Sequence, residues 1–144
     1  LRARADVVAA VNSTDSLSGW VSLQHAWGGR PAVIVETGSH LESVRAVATG
    51  RADVASIDAV SWALFAELEP ESVSLLHVVG AGPRVPCLPV VASSAHAGDV
   101  PALRAAFAAA VADPAASEAC AALRIRGFVP MDLADYLPLR SLVP

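Results

Sequence analysis

An α/β fold, with a parallel or mixed sheet and flanking helices, is the architecture this sequence predicts. Short apolar runs of strand length, DVVAAV, PAVIVE and ADVASI, alternate with helix-like stretches through the first half of the chain. Each run is followed by serine, threonine, aspartate or glycine, residues that make turns and helix caps. Alternation over such short connections is the pattern of βαβ units. With 54% hydrophobic residues over 144 positions, the chain has material for a sizeable core and does not read as disordered.

Asp6 to Val11 predicts the first strand, and the turn Asn12 to Gly19 leads into a helix running to about Trp27, ended by Gly28 and Gly29. Pro31 to Glu36 is the second strand. After the turn Thr37 to His40, Leu41, Val44, Val47 and Ala48 recur at helical spacing, with Glu42, Arg45 and Thr49 on the opposite face and Gly50 as the stop. Ala52 to Ile57 reads as a third strand, and Asp58 begins a helix to about Leu68. Beyond Pro70 the pattern changes. Ser74 to Val79 (SLLHVV) and Leu88 to Ala92 (LPVVA) are further strand candidates, separated by GAGPRVPC, whose composition suits a hinge or crossover. The remainder reads as helical. Asp99 caps a helix with Leu103, Phe107 and Val111 on one face; Asp113-Pro114 opens a second, with Gly127 as its stop; Asp132 caps the last, up to Pro138 or slightly beyond.

Charge and composition exclude several functions. The net charge is −4, and the 10 basic residues form no run, so nucleic acid and anionic membrane surfaces are not expected partners. No apolar run approaches the roughly 20 residues that span a bilayer, so membrane insertion is not expected. LRARADVV at the start has no apolar signal segment. Cys87 and Cys120 lack CxxC or Cys/His spacing, and His25, His77 and His96 carry no metal spacing; two free, mostly buried thiols are expected, with one disulfide the alternative. No cofactor is called for.

In parallel sheets, ligands bind beyond the carboxyl ends of the strands. The turns Asn12 to Gly19, Thr37 to His40 and the one at Asp58 all follow strands, so they should share one edge. Free N–H groups and the helix dipole make such positions suit anions. Read singly, Ser16 and Ser18 cap a helix, His40 is an ordinary first-turn residue and Asp58 is an N-cap, while Trp20, Trp27 and Trp62 belong to the core. Ser18, His40 and Asp58 also supply the residue types of a serine hydrolase. The GxSxG elbow is absent, however, because Leu17 and Trp20 bracket Ser18-Gly19, and nothing in the spacing sets a base against a serine; the chain is not expected to be an enzyme.

The pieces DSLSG, TGSH, SVRAVATGRADVASID, VPCLPVV and LRIRGFVPMDLADYLPL, in this order, resemble the phosphate, phosphite and phosphonate class of ABC-transporter substrate-binding proteins, the phosphonate-binding-protein-like family. The resemblance implies a type II periplasmic-binding fold with a ligand between two lobes. Members are longer, so residues 6–80 are expected to form the second lobe and residues 81–144 the hinge return and C-terminal helices of a first lobe whose N-terminal part lies outside this sequence. Family members hold phosphoryl oxygens with the hydroxyls of one turn and the histidine of another. By position, Ser16, Ser18 and Gly19 match the first turn and Ser39 and His40 the second, with Thr37 and Asp58 as neighbouring candidates. Leu17 stands where a threonine is frequent, and Cys87 and Leu88 stand where members that take aminophosphonates carry an acidic residue. The implied function is a periplasmic or cell-surface solute-binding component that captures a small anion and delivers it to a membrane permease. A ligand-sensing effector domain of a regulator, built on the same fold, is the alternative.

Overall fold

The computed structural model describes residues 6–27, 30–86 and 89–143. Three strands form a parallel sheet in the order β2-β1-β3, with β1 spanning Val8–Val11, β2 Val33–Glu36 and β3 Val54–Ala55. Val8 to Val11 pair with Val33 to Glu36, and Ala9 and Ala10 pair with Val54 and Ala55. The third strand is thus shorter than the predicted Ala52 to Ile57. The predicted helix after the first turn forms as one run, a π-type turn over Leu17–Val21 continuing into α1, Ser22–Trp27.

Alternation along β1 decides which side chains meet which helix. Val7, Ala9 and Val11 face Trp20, Leu23 and Trp27, joined by Ile34 and Val54. Ala10, with Val8, faces the other way against Ala46 and Val47 of α2, His40–Ala48. A strand apolar on both sides, VVAAV, is what a parallel sheet covered on both faces requires. Ala10 and Ala46 are both fully inaccessible, and their small side chains let α2 lie close on the sheet. That closeness shifts the buried stripe of α2 from the predicted positions. Ser43, Val44 and Ala46 are buried, whereas Leu41 and Ala48 are only half-buried. Gly50 ends the helix as predicted: it takes φ +73, and the Arg51 N–H reaches back to the Ala46 carbonyl at 2.8 Å.

Beyond the sheet, α3 (Ala59–Leu68) and α4 (Pro70–Ser74) pack against α2 and each other. Arg45 of α2 ties this corner together through ion pairs with Glu42 and Glu69. Trp20 and Trp27 are core residues as predicted, and Trp62 is half-buried.

The strands predicted over Ser74 to Val79 and Leu88 to Ala92 do not form among the described residues. Ser74 closes α4, and residues 76–86 and 89–93 carry no regular element. Val78, Val79, Val90 and Val91 remain exposed. β-branched runs favour a strand only where a neighbour supplies the ladder, and Pro86 and Pro89 remove donors from this one. Cys87 and Leu88 lie outside the described residues.

The chain divides into two compact units, residues 1–84 with 141–144, and residues 85–140. In the second, α5 (Val100–Ala112) packs on α6 (Ser117–Ala122), and Phe107 stacks on Phe128 with ring centroids 5.6 Å apart. Asp99 does not cap α5 with its side chain; it pairs with His96 at 3.0 Å instead. Asp113 does cap the next turn, accepting from the Ala115 N–H at 2.8 Å. That helical segment stops before Gly127: Arg124 takes φ +59, and the Ile125 N–H bonds the Cys120 carbonyl at 2.8 Å. Cys120 is a free thiol and is half-buried, more exposed than expected. The final helix α7, Leu133–Tyr136, starts with the Asp135 carboxylate accepting the Asp132 N–H at 2.7 Å, while the Asp132 side chain, expected as the cap, pairs with Arg104 at 2.7 Å; the helix passes into a tighter turn over Leu137–Ser141.

Candidate functional site

Each strand of the sheet leaves through a polar turn that opens a helix. After β1, Ser16 is extended, and its Oγ accepts the Gly19 N–H at 3.1 Å while its carbonyl takes the Trp20 and Val21 N–H groups at 3.0 Å. After β2, Ser39 caps α2 by accepting the Glu42 N–H at 3.1 Å. Thr37 Oγ1 lies 3.1 Å from the Val11 carbonyl, 3.0 Å from that of Ser39 and 2.7 Å from Ser43 Oγ. After β3, Asp58 caps α3, its Oδ1 accepting from the N–H groups of Val60 at 3.0 Å and Ser61 at 2.9 Å.

These turns meet. Ser18 Oγ lies 2.9 Å from His40 Nε2, the same nitrogen lies 3.4 Å from Asp58 Oδ2, and Ser56 Oγ donates to the Ser18 carbonyl at 2.7 Å. The expected clustering at one edge is therefore present. Its location fits the topology: in the order 2-1-3, the helix after β1 packs on one face of the sheet and the helix after β2 on the other, and both start at the carboxyl ends of their strands, where α/β sheets bind ligands. Gly19 is needed there for room, since a Cβ on it would sit 2.0 Å from Asn12 Oδ1.

The seven residues singled out in the sequence do different jobs. Ser16, Ser39 and Asp58 are caps. A capping serine accepts with its oxygen and keeps its own proton, so both hydroxyls can still donate outward. Thr37 spends its hydroxyl inside the protein, holding the β2–α2 turn. Ser18 and His40 face each other across two helix starts. The N–H groups of Leu17, Ser18, His40 and Leu41 precede the first backbone bond of each helix and have no carbonyl one turn behind them. Ser56 and Asn12 were not singled out; Ser56 is a lone polar residue within an apolar run and Asn12 is the first residue of a polar turn, signals too common to stand out.

Burial pushes the His40 imidazole below the usual histidine range; the nearby Asp58 carboxylate and the Ser56 carbonyl favour its charged form but do not outweigh desolvation. Burial acts to raise the Asp58 carboxyl, yet hydrogen bonds from Ser61, the His40 charge and the Val60 N–H leave it below the ordinary carboxylate value. At neutral pH the pair is a neutral imidazole beside a carboxylate. His40 Nδ1 is buried without a hydrogen-bond partner, which is less costly for a lone pair than for an N–H. With the proton on Nε2 and donated to Ser18 Oγ, the Ser18 hydroxyl proton is free for a ligand.

This geometry corrects one expectation, because the structure does set a histidine against a serine. It is not a hydrolytic relay, in which the carboxylate holds one imidazole nitrogen and the other takes the serine proton. Here serine and carboxylate share Nε2. Among the described residues, no group of three or more His, Cys, Asp or Glu is placed to hold a metal. A cavity of about 460 Å³ in the second unit, lined by Val111, Asp113, Cys120, Ile125 and Arg126 among others, contains none of the site residues.

The family model described as the periplasmic substrate-binding protein of phosphonate ABC transporters matches residues 5–136. The chain belongs to this family. The match runs through all three turns and the whole of the second unit's helices as far as Tyr136. No curated protein matches the chain. Its α/β fold, with a small parallel sheet and helices on both faces, fits part of a periplasmic-binding architecture. No helix among the described residues is long and apolar enough to cross a membrane.

Proposed function

We propose that this chain is the solute-binding component of an ABC importer outside the cytoplasmic membrane, and that it captures a small oxyanion, a phosphonate or close relative, for a membrane permease. The observation that carries the reading is the 2.9 Å contact between Ser18 and His40, which joins the starts of two helical runs at the carboxyl edge of a parallel sheet. The free N–H groups and positive dipole ends of the two helix starts, with the Ser18 hydroxyl between them, are neutral donors of the kind that suits a tetrahedral or carboxylate oxyanion. No lysine exists in the chain to supply a compact charge. Residues 6–80 act as the lobe that presents this edge, and the chain performs no catalysis. The absence of an acidic residue in VPCLPVV disfavours a ligand with a free amine, so a larger or more apolar phosphonate is the better fit.

A thermal-shift screen of the full-length protein with phosphate, phosphite, methylphosphonate, aminoethylphosphonate, sulfate and small carboxylates tests this. Stabilisation by a phosphorus oxyanion without an amine is the expected result. A stronger response to aminoethylphosphonate would overturn the specificity, and no response to any anion, repeated in direct binding assays, would remove the site.

A further inference from the structure

Ser56 is the first residue after β3 and reaches 38 positions back along the chain to the Ser18 carbonyl. That carbonyl belongs to the Ser18–Gly19 peptide, a rigid plane whose N–H at the other end is held by Ser16 Oγ at 3.1 Å. The plane is gripped at both ends, by Ser16 from its own turn and by Ser56 from another loop. The π-type turn makes this possible: the Ser22 N–H goes to the carbonyls of Leu17 and Gly19, passing over that of Ser18. We propose that Ser56 is a positioning residue of the oxyanion site, fixing the Ser18–Gly19 peptide so that the Ser18 hydroxyl meets His40 Nε2 and turns its own proton to the ligand. The inference rests on the reading of that site given above.

Three features separate this role from a general tie between loops. β3 is pinned to β1 by the pairs Ala9 with Val54 and Ala10 with Ala55, so Ser56 starts from a fixed point on the sheet. Two residues later Asp58 reaches the His40 ring, so one short loop contacts both members of the Ser18–His40 pair. The Ser56 carbonyl also acts on that ring. A loop that sets both partners controls their mutual geometry, and a small rotation of the peptide would carry the Ser18 side chain away from hydrogen-bond distance.

The test uses the full-length protein, methylphosphonate as the probe, and two readouts: affinity by calorimetry, and the ring-nitrogen resonances of His40 by NMR without ligand. Ser56→Ala is expected to weaken methylphosphonate roughly five- to tenfold with the unliganded melting temperature little changed, and to move the His40 Nε2 resonance. Ser56→Thr, which keeps the hydroxyl, should restore both. An unmoved resonance with wild-type affinity would overturn the proposal. So would a loss that follows destabilisation and is not restored by threonine, since that describes a structural tie. If the wild-type protein does not bind methylphosphonate, the oxyanion reading fails on that result, while the His40 resonance in Ser56→Ala still decides the role of Ser56.

Discussion

Replacing Ser18 and His40 together with alanine is expected to weaken binding of the cognate oxyanion by about a hundredfold or more. A hydrogen bond to a charged oxygen contributes roughly 1.5–3 kcal/mol, and every 1.4 kcal/mol is about a factor of ten. The two side chains are bonded to each other, so their effects should not add fully: Ser18→Ala alone removes the hydroxyl donor and also the acceptor that orients the His40 ring. Each single variant should therefore account for more than half of the combined loss in free energy. The fold should survive, because neither side chain caps a helix; those jobs belong to Ser16, Ser39 and Asp58. Calorimetry on the wild type and the three variants gives the result directly. Wild-type affinity in both singles would return Ser18 and His40 to the ordinary surface roles they have when read one at a time.

Gly19→Ala is expected to cost about 1–3 kcal/mol of stability and to weaken the site with it. The added Cβ would lie 2.0 Å from Asn12 Oδ1 and 3.2 Å from both Asn12 Cγ and Ser16 Oγ. Gly19 is buried between the buried side chains of Trp20 and Val21 and the capping Ser16, so the turn has little freedom to move aside. Asn12 must then swing out, or the π-type turn must shift and take Ser18 with it. Chemical denaturation of Gly19→Ala, Asn12→Ala and the double variant tests the mechanism. The double variant should recover most of the loss, since Asn12→Ala removes the two Asn12 atoms that clash and also an unpartnered buried oxygen. Equal destabilisation with and without Asn12 would show that the close approach is not the cause.

The half of the chain that carries the site was legible because its signals are local and redundant. VVAAV announces a strand covered on both faces, Gly50 takes the positive φ that ends a helix, and Asp58 sits before an apolar run as an N-cap does. The second half was less legible because strand propensity in SLLHVV and LPVVA describes only a chain ready to pair, and pairing is a property of the neighbour. In α6, helix-forming alanine pointed to a stop at the next glycine, yet Arg124 adopts the left-handed conformation itself. At the site, residue types gave the turns but not their contacts. Whether Ser18 faces His40 depends on the strand order 2-1-3 and on the π-type turn, and Ser56 enters through a hydrogen bond spanning 38 residues that no local pattern encodes. The same limit made the serine and histidine look unrelated, and it concealed that Asp58 shares Nε2 with Ser18, which argues against a relay.

The most direct test of the account is a titration of the isotopically labelled full-length protein with methylphosphonate, followed through its backbone amide resonances. If the strand-to-helix turns form one oxyanion site, the amides of Leu17, Ser18, His40 and Leu41, whose N–H groups lack a partner within their helices, should show the largest shifts and saturate with a single dissociation constant. Saturable shifts centred on residues remote from these turns, with Ser18 and His40 unmoved, would contradict it.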